Sequence, residues 1–123
     1  MRISEMTTDQ AMDTLCEITP HISDIITDED LVSEIKKKMK KEEGTTKADV
    51  IRFAVEKITN IVPILLKKRK ESVYAIVAAV NQTDIDTVKN QNIIKTMIEI
   101  REIAKDDDLM DFVKSCLKTE KSA

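Results

Sequence analysis

Residues 63–81 read PILLKKRKESVYAIVAAVN, with four consecutive cations, Lys67, Lys68, Arg69 and Lys70, set between two apolar runs. Ile64, Leu65 and Leu66 precede the cations. Val73, Ile76, Val77 and Val80 follow them at helical spacing, with Ala75, Ala78 and Ala79 on the back, small enough to admit another helix. The stretch reads as two buried helices joined at a wet corner, since cations in a last helical turn lie favourably against the negative end of the dipole. On that reading, charge reversal at all four cations leaves the fold intact.

Working outward, helix starts recur in both directions. Thr46-Lys47-Ala48-Asp49 opens a helix whose stripe is Ile51, Ala54, Val55, Ile58, Ile61, Val62 and Leu65, with Phe53 pointing off it and Pro63 interrupting it late. The helix carrying Val73 to Val80 starts near Glu71 or Ser72 and stops at Asn81. Thr83-Asp84-Ile85-Asp86 caps a short one. From Gln91 the segment NIIKTMIEIREIAK is apolar over more than half its circumference, which fits a central helix touched from two sides or a dimer face. Asp106, Asp107 and Asp108 start a last helix with Leu109, Phe112, Val113, Cys116 and Leu117 inward. Towards the N-terminus, Thr7 to Gln10 forms a capping box ahead of Ala11, Leu15, Ile18, Ile22 and Ile25, with Pro20 inside that pattern. Thr27 to Asp30 begins a helix striped by Leu31, Ile35 and Met39 that closes in KKKMKK and ends at Gly44. Proline lacks an amide donor and disfavours helix in the residue before it, so kinks or breaks are expected near Pro20 and Pro63.

The expectation is an all-α, single compact domain of six to seven short helices spanning residues 1–123, with frayed ends at about 1–6 and 118–123. Composition agrees. The chain has 123 residues, 41% hydrophobic and 35% charged, with one Gly, two Pro, six Met and three aromatic rings, Phe53, Tyr74 and Phe112. So few glycines argue against a β design, which needs frequent turns. Cys16 and Cys116 stand far apart without a metal-binding spacing and read as small buried hydrophobes in a reducing compartment. The start MRISEMTTDQ lacks an apolar signal core, and the longest apolar run, Val73 to Val80, is far below the roughly 20 residues of a membrane span. A soluble, cytoplasmic protein is expected.

Catalytic chemistry finds little footing. His21 is the one histidine and has no orienting partner at a telling spacing. The acidic runs sit at helix starts and lack the spacing of a calcium loop. A single glycine excludes phosphate-binding and dinucleotide loops. No enzyme activity, cofactor or metal is expected. Two basic clusters remain, Lys36, Lys37, Lys38, Lys40 and Lys41, and Lys67 to Lys70. The net charge of −3, from 20 basic and 23 acidic residues, argues against a nucleic-acid binder, as does the single nearby aromatic ring, Tyr74. Bunched cations also differ from the face-long array of a membrane-surface helix. A small helical nucleic-acid-binding or regulatory module stays as the alternative to a protein-binding one.

On a helical wheel Arg101 falls among Ile94, Met97 and Ile98. Its stem packs there, with the guanidinium reaching out or pairing with Asp84 or Asp86, or the face is open and Arg101 meets a partner's carboxylates. The candidate partner-binding set is therefore Lys67, Lys68, Arg69, Lys70, Tyr74 and Arg101.

In ISEMTTDQAMDTLCEITPHI, from Ile3, and ILLKKRKESVYAIVAAVNQTDIDTVKNQN, from Ile64, the chain resembles the small tail assembly chaperones of long-tailed bacteriophages and prophages of Gram-positive bacteria. The likeness covers the TTDQ-type opening, both proline positions and the basic turn before SVYAIVAAVN. It departs after Asn81, where a glycine turn is expected and Gln82 stands. The resemblance implies a non-enzymatic protein that binds the extended tape measure protein, and tail tube subunits, during tail assembly and is absent from the mature virion. It also implies that this chain is the short product where a frameshift yields a longer one, and it supplies no catalytic residues. A homo-oligomer is compatible with it.

Overall fold

Short polar side chains at helix starts organise the backbone of this protein. In the computed structural model, which describes residues 3–39 and 46–122, α1 (Thr8–Ile26) opens on the capping box expected at Thr7. The Gln10 amide donates to Thr7 Oγ1 (3.2 Å), and the Thr7 amide donates to Gln10 Oε1 (3.1 Å). Asp28 starts α2 (Glu29–Met39) by accepting from the Leu31 amide at 3.0 Å. Thr46 and Asp49 form a second capping box for α3 (Lys47–Glu56). After α4 (Ile58–Val80), Asp84 caps α5 (Ile85–Asn90) and Asn92 caps α6 (Ile93–Ala104). Asp106 accepts from the Leu109 amide (3.3 Å) at the start of α7 (Asp107–Ser122). Each such cap satisfies amides that a helix start leaves unpaired. Gly44, Lys40 and Lys41 lie outside the described residues.

Neither proline breaks its helix. Helix α1 runs through Pro20, with Thr14, Ile18, Ile22 and Ile26 buried in successive turns on both sides of it. Burying an isoleucine yields about 1.5–3 kcal/mol, so this stripe together outweighs the roughly 3 kcal/mol cost of an interior proline. Pro20 itself is exposed. Pro63 likewise lies inside α4, and the Thr59 residue whose carbonyl it deprives of a donor is exposed to solvent. The backbone departs from helical geometry elsewhere. At Lys57 (φ −112°, ψ 34°) α3 ends and α4 begins, splitting the helix expected over 46–65, and at Arg69 (φ −140°, ψ 45°) α4 kinks within the basic run.

Helix α4 is the centre of the fold, packed against α1, α5, α6 and α2, while α3 rests on α2, α4 and α7. The core divides into three clusters. Ile18, Ile22 and Leu109 anchor the first, Val62, Val77 and Ile100 the second, and Leu31, Ile35 and Ile61 the third. The described residues contain seven α-helices and no strand, and none of these helices is long and apolar enough to cross a membrane.

Two polar ties close the bundle. Asp106, 3% exposed, accepts from the Ile3 amide at 2.9 Å. The 3₁₀ turn Ile3–Glu5, within a terminus expected to fray, is thereby held against α7, and Ile3 is buried. At the end of α4, Gln82 takes φ 57°, the left-handed conformation for which a glycine was expected. The Thr83 amide reaches the Ala78 carbonyl (2.8 Å) and the Gln82 amide the Ala79 carbonyl (3.2 Å), the pair of bonds that closes a left-handed helix end. Gln82 Nε2 adds bonds to Thr14 Oγ1 (3.2 Å) and the Ala79 carbonyl (2.8 Å), and these offset its conformational cost. Cys16 is exposed rather than buried, because it lies on the side of α1 opposite the inward Ile18.

Candidate partner-binding surface

Four like charges in succession cannot all turn the same way on a helix, and they separate here. Lys67, Lys68 and Lys70 are exposed, while Arg69 turns inward and is half-buried. Its Nε donates to Asp28 Oδ2 at 2.7 Å. The other Asp28 oxygen holds the Leu31 amide, so one carboxylate both caps α2 and ties it to the kink of α4. These contacts hold the Asp28 carboxyl below its ordinary pKa, chiefly through the Leu31 amide and then through the Arg69 guanidinium. Arg69 is therefore a structural residue, and charge reversal that includes it does not leave the fold untouched. Tyr74 is also turned away from the solvent rim, half-buried against the second core cluster.

Arg101 is half-buried on α6, and its Nη2 reaches Thr59 Oγ1 at the start of α4 over a long 3.5 Å. It pairs across to α4 rather than with Asp84 or Asp86. Thr59 precedes Lys67 to Lys70 by 8–11 positions on α4, or roughly 12–17 Å at the helical rise. The six candidate residues thus occupy two separate places and do not form one site.

The feature that sequence reasoning left undecided lies beside Arg101. Helix α6 is covered on one side only: Thr96, Ile100 and Ala104 are buried, whereas Ile93, Ile94 and Ile98 are 54%, 59% and 48% exposed. Isolated exposed aliphatics are ordinary, but three on adjoining turns of one helix make a patch. Ile85, 39% exposed, stands at the start of the neighbouring α5. Ile94, Ile98 and Arg101 succeed one another at four and three residues, so the cation continues the apolar line. Thr59, which Arg101 touches, also lines a cleft with Lys38, Lys57, Phe53, Asn60 and Pro63, and among the described residues no acidic side chain lines it. The signal in the sequence was the width of the α6 stripe, more apolar surface than a single neighbouring element covers.

Among the described residues no group of three or more His, Cys, Asp or Glu side chains is placed to hold a metal ion. His21 is half-buried in α1. The exposed face of α6 presents apolar area, followed by the guanidinium of Arg101 and the lysines of the adjoining cleft. No protein-family model, curated protein or solved structure matches this chain.

Proposed function

We propose that this protein is a non-enzymatic assembly chaperone of the phage-tail type, which binds a tape measure protein, a tail tube protein or both while a tail is built. It acts in the cytoplasm of the bacterial host and is absent from the finished particle. The observation that carries this reading is the open face of α6, Ile93, Ile94 and Ile98 leading to Arg101. A long helical partner presents apolar residues at three- and four-residue spacing, the pattern that a line of Ile94 and Ile98 accepts. Carboxylates one turn further along the partner meet Arg101 and the lysines of the adjoining cleft. The choice of partner rests on the resemblance of the chain, over nearly its whole length, to the tail chaperones.

Co-expression with a tape measure protein encoded beside this chain, followed by pull-down, tests the proposal. Complex formation is expected, and the pair Ile94→Asp with Ile98→Asp is expected to abolish it while the circular dichroism spectrum stays helical. Absence of a complex with both the tape measure and the tail tube protein overturns the reading. A mobility shift of DNA at low salt that fades steeply at physiological salt would instead favour the nucleic-acid module.

A further inference from the structure

The three core clusters do not close on one another. Between them lies a partly open cavity of about 180 Å³, lined among the described residues by Ile, Leu, Val, Ala and Met side chains. The shortage of rings explains it, since a gap between several helices is filled most readily by aromatic side chains. The two phenylalanines and one tyrosine of this chain are used elsewhere: Phe53 at the lysine-lined cleft, Tyr74 against the second cluster and Phe112 against the first. None of them lines the cavity. Two of its wall positions carry only a methyl group, Ala54 on α3 and Ala104 on α6.

Water is a poor occupant, because an ordered water needs two to four polar partners and the described residues of this wall provide no polar side chain. An apolar cavity of roughly 150 Å³ stays dry and takes up benzene or xenon. We propose that this cavity is a binding site for a small uncharged apolar molecule, a ring or short hydrocarbon chain. A charged or hydrogen-bonding ligand is excluded, since its polar group would lose water and meet nothing in return. The wall is not sealed: Ile51, Ala54 and Val55 of α3 are half-buried, as are Ile25, Val32 and Ile58. The site is independent of whatever partner covers α6.

The test is a benzene titration of the full chain labelled at isoleucine δ1 methyls, read by NMR. Saturable shifts are expected at Ile22, Ile26 and Ile100, which line the cavity, with Ile94 and Ile98 unmoved on the outer face of α6. Ala54→Leu and Ala104→Leu, made separately to fill the space, are expected to weaken benzene binding at least tenfold. Lack of saturable shifts up to the solubility of benzene overturns the proposal, as do equal shifts at Ile94 and Ile98. Undiminished binding in a folded filling variant overturns it too. Should neither variant fold, the contrast between the inner and outer isoleucines in the unaltered chain decides the matter alone.

Discussion

Asp28 is the residue at which one substitution separates two contributions. Asp28→Ala removes an N-cap, worth about 1 kcal/mol, and an ion pair with a 40% exposed arginine, worth at most about 1 kcal/mol. The expected loss is about 2 kcal/mol. At about 4 °C per kcal/mol for a chain of this length, the melting temperature falls by about 8 °C. Asp28→Asn keeps an oxygen for the Leu31 amide and gives up the charge, so its loss is about 1 kcal/mol or less. Urea unfolding followed by circular dichroism at pH 7 measures each stability by linear extrapolation. A double-mutant cycle of Asp28→Asn with Arg69→Ala isolates the pair, with an expected coupling of about 0.5–1 kcal/mol. Lys67→Glu, Lys68→Glu and Lys70→Glu together serve as the contrast, with little effect expected from exposed side chains that hold nothing in place. A coupling below about 0.3 kcal/mol, or a triple reversal as damaging as Arg69→Ala, would refute the claim that Arg69 alone pins the corner.

Acid titration extends the same reasoning. Carboxyl pKa values depressed in the folded state add stability that is complete above the unfolded pKa, here 3.8, and is lost as pH falls through the folded value. Asp28 is depressed by the Leu31 amide and Arg69, and Asp84 by the hydroxyl and then the amide of Thr87. The urea midpoint is therefore expected to vary little with these two groups from neutral pH down to about 5 and to fall below about 4, less steeply in Asp28→Asn. At the end of α4, Gln82→Gly trades relief of a left-handed backbone, about 1 kcal/mol, for the lost side-chain bonds to Thr14 and the Ala79 carbonyl, together also about 1 kcal/mol. A near-neutral thermal shift is expected, whereas Gln82→Ala, which keeps the strain and loses the bonds, lowers the melting temperature by several degrees. If alanine is neutral while glycine stabilises by the full backbone relief, the side-chain bonds of Gln82 contribute nothing.

Much of this architecture is legible along the chain, for a reason that Thr7 and Thr46 illustrate. A helix start is decided by hydrogen bonds within three or four residues, so Thr7 with Gln10, Thr46 with Asp49 and Asp84 with Thr87 can be read in the linear order. The wet corner at Lys67 to Lys70 is legible too, since four cations have no place in an apolar core. Arg101 was the one candidate residue set beside the surface that proved open. The isoleucines next to it were left between a central core helix and a dimer face, because periodicity shows how wide an apolar stripe is and not how many neighbours cover it.

The remaining features depend on residues distant in sequence. Arg69 finds Asp28 across 41 positions, Gln82 finds Thr14 across 68, and Asp106 holds the Ile3 amide across 103. Local chemistry specified the class of fold and nearly every place where a helix begins. Tertiary packing decided that the backbone leaves helical geometry at Lys57 and Arg69, and in α1 burial of Ile18 and Ile22 on either side of Pro20 outweighs one missing amide donor. It also decided that α6 keeps one side open and that an aromatic-poor core leaves an apolar space at its centre, since both follow from how many helices meet there.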